Sequence, residues 1–393
     1  MRLPRLWVGG MAGALLLVAG GVAEGQGLND VLGGLLSNNC LALGTGPFGP
    51  QLTPICTDIP NTGTGASAGG TTGAETRVST IGTEQRLQRR LRERRQGASA
   101  DAGRGLGVFA SIDYEKFDQD NTRFESGFER DTLGGTIGVD YALNPSVIFG
   151  GAFNYGHEFG NYDGVGGGFD HNGYGGFLYT SLSPLPRLFV DLSVGYIWKD
   201  YGYERRATFN PPTPAGGRAI NVSGPTEGDT QGDELRLSVN SGYDFIFGNV
   251  TLGPRLGVNY RDQTIDAYRE SGQTGIELAY DNQNIVSLTT NAGVYGSIAI
   301  NTGLGVIVPQ ATAEYIHEFL NDQRSVGFRL VQDLANQKFR YQTDPPDRDY
   351  VILGVGVSMV LPDGLVAFLN FRELLGYRDR QSHAVNLGVR LAF

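Results

Sequence analysis

Residues 381–393 read QSHAVNLGVRLAF. From Val385 to Phe393 every second residue is apolar. The residues between them are small or polar: Asn386, Gly388, Arg390 and Ala392. Because side chains alternate between the two faces of a β-strand, this period of two predicts a strand with one apolar and one polar face.

The same alternation recurs from Leu106 onward. It predicts twelve strands, at residues 106–117, 130–142, 146–158, 170–182, 187–203, 230–246, 250–266, 283–300, 304–318, 348–361, 364–375 and 381–392. Two of them, at 170–182 and 304–318, alternate poorly, so their register is the least defined by the sequence.

Strand length and loop length favour a membrane barrel over a soluble sandwich. The predicted strands have about 12 to 18 residues, whereas a strand in a globular sheet has ~5–6 and a strand that crosses a bilayer needs ~9–11. Tight connections at residues 144–145, 183–186, 247–249, 301–303 and 362–363 alternate with longer ones. We therefore predict an all-β fold for residues 105–393: a 12-stranded antiparallel up-and-down transmembrane barrel, with tight turns in the periplasm and loops exposed at the cell surface.

Composition agrees with such a barrel. The chain has 60 glycines, 18 tyrosines and 20 phenylalanines among its 393 residues. Glycine disfavours long helices, and aromatic residues suit both strands and membrane interfaces. Four aromatics near one end of the fifth strand are candidates for an interfacial girdle: Tyr196, Trp198, Tyr201 and Tyr203. The net charge of −10 argues against nucleic acid as a partner.

The N-terminus predicts export. Arg2 and Arg5 precede an apolar run from Leu6 to Val22, and small residues end at Ala23, which is the pattern of a signal peptide over residues 1–23. A membrane anchor is the alternative, but the run is shorter than the ~20 residues that a spanning helix needs. Residues 24–82 form a low-complexity segment with too little apolar surface for a packed core.

Cys40 and Cys56 are the two cysteines of the chain. In an exported protein they predict one disulfide that closes a small loop. Two free thiols or an intermolecular bridge are the alternatives.

Residues 83–97, TEQRLQRRLRERRQG, predict a short helix, with Thr83 as its N-cap and Gly97 at its end. Six arginines lie along it: Arg86, Arg89, Arg90, Arg92, Arg94 and Arg95. Its apolar stripe is narrow, so it is either a solvated linker or a basic helix held inside an acidic, water-lined channel.

The polar faces of the strands carry charges that a barrel would place in its lumen. They are Asp140, Asp191, Glu234, Arg236, Asp244, Arg255, Arg261 and Arg390. A network of ion pairs within the lumen is the simplest expectation, and contacts to the basic helix are the other.

No motif predicts a catalytic, metal or cofactor site. The G-x-S-x-G match at residues 65–69 lacks the strand–turn–helix context of a nucleophile elbow. A barrel hydrolase would need a serine–histidine pair at the rim. Ser382 and His383 are adjacent and should point to opposite faces, whereas His157 and His171 flank one loop and could meet across it.

Taken together, the leader, the exported segment, the basic helix and the twelve strands resemble the translocator domain of the autotransporter family. The resemblance implies that residues 83–97 occupy the pore. It also implies that Val389, Leu391 and Phe393 form the signal read by the barrel-assembly machinery, with periplasmic chaperones as earlier partners and outer-membrane lipid around a monomeric barrel. The segment 24–82 is much shorter than the usual passenger of that family.

The expected function is translocation or display of the chain's own N-terminal segment, without catalysis. A porin-like diffusion channel is the alternative if the arginine helix lies outside the lumen. A surface adhesin acting through loops 204–229 and 319–347 is a third possibility, which exchange of those loops would test.

Overall fold

A computed structural model describes residues 66–68, 105–164, 166–209, 222–333 and 336–392. The cysteine pair, the arginine-rich segment 83–97 and Phe393 lie outside the described residues. Within the described part of the chain, no helix is long and apolar enough to cross a membrane.

Twelve long strands, β1 to β12, account for most of the fold. In chain order they are Gly105–Gln119, Phe128–Asn144, Val147–Tyr162, Gly167–Leu185, Leu188–Phe209, Val222–Tyr243, Val250–Ile265, Gln283–Ile298, Gly305–Glu318, Asp349–Val360, Leu365–Leu375 and Arg380–Ala392. Short strands Phe245–Phe247 and Ile300–Thr302 continue β6 and β8 into their turns, and a 3₁₀ turn spans Pro362–Gly364.

The strands close into a barrel. Each pairs antiparallel with the next along the chain, and β1 pairs antiparallel with β12, from Gly107 opposite Ala392 to Gln119 opposite Arg380. Such closure leaves no unpaired edge among the twelve, which is the condition for a sheet to span a membrane. The prediction of a 12-stranded antiparallel barrel is therefore confirmed.

The two ends of the barrel differ. At the turn end, where β1 begins, five tight turns join consecutive strands, as between Asn144 and Val147. At the loop end six connections join them, and four of these are longer than any of the tight turns. The strands β5 and β6 reach Phe209 and Val222 there, beyond the predicted limits of residues 203 and 230, because 22 consecutive residue pairs continue the ladder. Residues 204–209 and 222–229, which were expected in a loop, are therefore strand.

One face of the barrel is apolar and exposed, and the other is polar and enclosed. Outward side chains such as Ile137 and Leu178 are about 60% exposed, as lipid contacts require. Tyr196 and Trp198 share this outward face, whereas Tyr201 and Tyr203 are buried inside. The girdle predicted from those four aromatics was thus half wrong, because aromatic residues occupy both faces of β5.

Close approach of aromatic rings to glycine explains the poor alternation of β4. Phe177 and Tyr179 of this strand point inward and lie flat over Gly195 and Gly150 of its two neighbours. A Cβ built on Gly195 would lie 2.1 Å from the ring of Phe177. Large apolar residues therefore belong to the lumen face here, and glycine opposite them provides the room.

Two loops at the loop end fold into a second, smaller sheet. Its strands, in spatial order, are Tyr268–Arg269, Leu278–Tyr280, Ser325–Leu330 and Phe339–Gln342. The first two belong to the β7–β8 loop and the last two to the β9–β10 loop. We call residues 266–282 and 319–348 the cap. A further two-residue strand, Ser271–Gly272, pairs with β6.

A three-residue strand, Ala66–Ala68, pairs antiparallel with residues Ala207 to Phe209 of β5. It adds to the loop-end edge of the β5–β6 hairpin.

Candidate functional site

The lumen of the barrel carries the predicted charges on its wall. Asp140, Asp191, Glu234, Arg255 and Arg390 are each at most 5% exposed and lie on the inward face. The side chain of Arg236 is 15% exposed, and that of Asp244 is 14% exposed at the turn end. Arg261 is inward on β7 and partly buried.

Four of the inward carboxylates form a group on β1, β2 and β5, which we call the acidic wall. Neutral donors orient each of them. Asn386 Nδ2 donates to Asp113 Oδ1 at 2.5 Å, and Ser382 Oγ donates to Glu115 Oε1 at 2.5 Å. Ser181 Oγ likewise donates to Asp191 at 2.5 Å, and Tyr179 OH donates to Asp140 at 3.4 Å. These donors help to orient the carboxylates on the inward face of the barrel.

Cations and carboxylates meet elsewhere in the lumen. Glu234 forms ion pairs with Lys199, whose Nζ lies 2.6 Å from Oε2, and with Arg236 Nε, so the structure brings two of the predicted residues together. Arg255 Nη2 lies 2.5 Å from Asp244 Oδ1 and stacks on the ring of Phe189. Such pairs satisfy the charges that the barrel encloses.

The cap fills the loop end of the lumen with apolar side chains. Ile276, Leu278, Phe328, Leu330 and Tyr341 of the cap are each no more than 1% exposed. They belong to one cluster with inward residues of the barrel strands: Phe117, Phe128, Tyr162, Phe169, Tyr201, Tyr203, Ile265, Ile285, Ile316, Ile352 and Leu374. The lumen therefore changes from polar to aromatic as it approaches the loops.

One buried ion pair joins the cap to the barrel wall. Arg205 of β5 donates from Nε and Nη2 to the two carboxylate oxygens of Glu270, at 2.9 and 2.5 Å. Glu270 also accepts from the backbone N–H of Leu278 at 2.8 Å, and Arg205 donates to the carbonyl of Ile276 at 3.2 Å. Paired in this bidentate way, both charges tolerate burial, and the pair fixes where the cap sits.

A second contact between loops involves two carboxyl groups. Thr122 Oγ1 donates to Asp344 Oδ1 at 2.6 Å, and the Glu125 carboxyl faces the same group. Burial, together with the charge of Glu125, raises the pKa of Asp344 to about 7, while the charge of Arg380 opposes the shift. Near neutral pH this contact is consequently sensitive to proton uptake.

The histidines do not form a hydrolase site with serine in the described part of the chain. Ser382 is inward and bonded to Glu115, whereas His383 is outward and lies 4.0 Å from Glu373. His157 is outward and His171 inward, on opposite faces of the β3–β4 hairpin, so they do not meet. Among the residues described, no group of three or more metal-ligating side chains is present.

Sequence reasoning missed the cap. Its signal was present in the loop segments Ile276 to Tyr280 and Val326 to Leu330, where apolar residues concentrate between turn residues. Several long connections in this chain are polar, so these two short apolar runs could have been read as strands with a buried face.

Comparison with known proteins identifies the family. The family model of the autotransporter beta-domain matches residues 108–372. Esterase EstA of Pseudomonas aeruginosa is 27% identical over 172 residues, which is 42% of this chain and 26% of that protein. Outer membrane protein A of Rickettsia conorii is 25% identical over 243 residues, 59% of this chain and 11% of that protein. The chain thus spans about a quarter or less of the length of these relatives.

Solved structures show the same fold. The translocator domain of the autotransporter NalP from Neisseria meningitidis superposes with a TM-score of 0.57 at 15% identity, over 79% of this chain and 96% of that one. The beta domain of the Bordetella autotransporter BrkA gives a TM-score of 0.51 at 16% identity, over 74% of this chain and all of that one. A closed barrel of twelve strands, a polar lumen and the family match lead to one conclusion: this chain belongs to the autotransporter family, whose β-barrels lie in the outer membrane.

Proposed function

We propose that the loop end of this barrel lies at the cell surface, and that the barrel translocates or displays its own N-terminal segment, residues 24–82. The observation that carries the proposal is the acidic wall. Asp113, Glu115, Asp140 and Asp191 line the lumen of a chain whose segment just before the barrel has six arginines. Opposite charges attract more strongly in an enclosed, poorly hydrated space than at a surface.

Chain geometry supports the same docking. Strand β1 begins at Gly105 on the turn end, and seven residues separate it from Gly97. Seven extended residues can span roughly 25 Å, so the basic segment can enter the lumen from the turn end and reach the acidic wall. The segment ahead of it would then point toward the loop end.

The two other functions have less support. A porin-like channel needs an open path, whereas the cap fills the loop end with apolar side chains. An adhesin acting through residues 319–347 would need that loop's side chains at the surface, but Phe328, Leu330 and Tyr341 are buried in the cap.

We also propose that the barrel itself is not an enzyme. The resemblance to an esterase covers only about a quarter of that protein.

Surface accessibility of the N-terminal segment tests the proposal. A protease-cleavable epitope inserted within residues 63–73 should be cut by protease added to intact cells, because the segment would have crossed the membrane. The same epitope in the tight turn between Asn144 and Val147 is the matched control, and it should be protected. Cleavage is measured by immunoblot after equal protease treatment of intact and lysed cells.

Protection of both epitopes in intact cells would reject translocation and display, provided that both are cut after lysis. Cleavage of the turn epitope alone would reverse the proposed orientation of the barrel.

Charge reversal tests the acidic wall. In the D140K/D191K variant we expect at least a fivefold loss of epitope cleavage on intact cells at equal barrel abundance, since the arginine segment is repelled. A reversal of charge on the arginine segment, R86E/R90E, should restore cleavage in that background. Glu129→Lys, on the exposed outward face, is the control and should change nothing. An unchanged D140K/D191K variant would reject docking on this wall.

A further inference from the structure

We propose that the cap is a gate: a folded seal that closes the loop end of the barrel whether or not the N-terminal segment occupies the lumen. The inference rests on the geometry of the barrel mouth. Only the statement that this mouth faces the cell exterior rests on the proposed function.

The first argument is that the centre of the mouth is dry. Ile276 and Leu278 are fully buried, and Phe328 and Leu330 are 1% exposed. Phe328 packs against Phe339 at a ring distance of 5.9 Å. A hydrated ion would have to shed its water to cross these apolar side chains.

The second argument is that the cluster reaches around the mouth. Ten of the twelve barrel strands contribute buried side chains to it, from β1 to β5 and from β7 to β11. The two strands that contribute none are β6 and β12, and the mouth at β6 is covered differently. Ser271 and Gly272 pair with Glu227 and Thr226 of that strand, and Tyr268 packs so closely on Gly228 that a Cβ there would lie 2.7 Å from its ring.

The third argument is that a buried ion pair fastens the cap to the barrel wall and can be reversed in sign. The Arg205–Glu270 pair is buried, and it holds the first cap strand and the backbone of Leu278. Because both partners are enclosed, changing the sign of one leaves two like charges facing each other without solvent. Arg269, which directly precedes Glu270, is exposed on the outer side of the first cap strand and provides a matched control position.

Thiol labelling of the full mature chain tests the gate. Thr289 lies on the inward face of β8, one inward position below Ser287, whose hydroxyl binds Glu318 beneath the cap. Thr289→Cys is the reporter, and Ser297→Cys, inward on the same strand near the turn end, is the reference. Cys40 and Cys56 are replaced by serine in every protein, and the rate of reaction with a charged maleimide is measured in detergent micelles.

We expect E270K to raise the labelling rate of the Thr289→Cys reporter at least tenfold and to leave the reference rate unchanged. R269Q should change neither rate. The reciprocal pair R205E/E270R should return the reporter to the slow rate, because it restores opposite charges. Heat-dependent gel mobility verifies that each barrel is folded. L278D/F328D, which breaks the apolar centre instead, is the second opening variant.

The gate is overturned if the reporter reacts at the same rate in the parent and in both opening variants. Equal acceleration at the reporter and the reference would also overturn it, since the barrel rather than the cap would then have loosened. Failure of the gate and failure of export are separable. If the epitope is cleaved on intact cells but the Thr289→Cys reporter reacts rapidly in the parent protein, only the gate is rejected. If the epitope is protected but the reporter reacts slowly, only export is rejected.

Discussion

The turn end and the loop end of the barrel are built from the same twelve strands, but they enclose the lumen in different ways. At the turn end the wall carries charges, with Asp140, Asp191 and Arg390 inward, beside a smaller buried cluster that includes Phe109 and Phe177, and tight turns add nothing to the interior. At the loop end the inward residues become aromatic, and two connections fold back over them as a sheet. The inner face of the same strands therefore changes in character along the barrel.

The difference shows what each end requires. A polar wall stays wetted or pairs with other charges, so it is compatible with a polar segment in the lumen. An aromatic wall must be covered, because large apolar side chains facing an aqueous mouth would be unfavourable. The cap supplies that cover from the chain itself.

The largest expected effect is at the centre of the cap. Phe328→Ala removes a fully buried ring and should destabilise the cap by about 3–5 kcal/mol. Amide hydrogen exchange in detergent micelles should show faster exchange over the strands Leu278–Tyr280 and Ser325–Leu330, with the turn-end hairpins unchanged. Phe319→Ala, at an exposed position of the same connection, is the control. Uniform acceleration over all twelve strands would contradict a cap that is independent of the barrel.

At the turn end the corresponding perturbation is electrostatic. Asp244→Asn removes the charge opposite Arg255, whose guanidinium is buried between Phe189 and Tyr295. The loss should be about 1.5–3 kcal/mol, the range for a hydrogen bond to a charged group. Amide exchange should become faster in the β6–β7 turn and stay unchanged in the cap. Asn249→Ala, at an exposed position in the same turn, is the control. Faster exchange in the cap would contradict the view that the two ends are stabilised independently.

The sequence predicted the turn end better than the loop end for a physical reason. Tight turns are encoded locally by residues such as Asn144 and Pro145. The alternation of apolar and polar residues in the segments between turns defines the strands. Register near the turn end, as in β6 from Leu235 to Tyr243, follows from one polar and one apolar face.

Periodicity could not separate lipid contact from cap contact, because both are apolar. Tyr201 and Tyr203 have the same pattern as outward aromatics, and only the fold shows that they face the cap. The extension of β6 was missed because residues 222–229, VSGPTEGD, are rich in Gly, Pro and Thr, which favour loops. The fold class was thus accessible from local pattern, whereas the mouth depends on contacts between distant residues such as Arg205 and Glu270, which are 65 positions apart.

The contact of Asp344 with Glu125 should depend on pH, in a definite direction. The pKa of Asp344 rises from 3.8 to about 7 when the loops are docked, so the docked state takes up a proton. Docking is then strongest below about pH 4 and weakens as the pH rises through 7. Limited proteolysis at the edge of the cap should be faster at pH 8 than at pH 5.5.

Asp344→Asn should abolish that pH dependence, while Asp322→Asn, at an exposed position of the same loop, should preserve it. Thr122 and Arg380 also face this carboxyl group. Proteolysis that is faster at pH 5.5 would show that the carboxyl pair does not hold the loop.

The smallest effect should come from the rim of the cap, although an ion pair is present there. Lys338 Nζ lies 3.1 Å from Asp281 Oδ2, and both side chains are largely exposed, at 62% and 44%. Water screens such a pair, so Lys338→Met should change cap stability by less than about 0.5 kcal/mol in the same exchange experiment. The Arg205–Glu270 pair has better geometry and no solvent, and its removal should cost several times more. An increase in cap exchange with Lys338→Met as large as that with E270Q would contradict this account. Exclusion of solvent from the mouth would then not explain the difference between the loop end and the turn end.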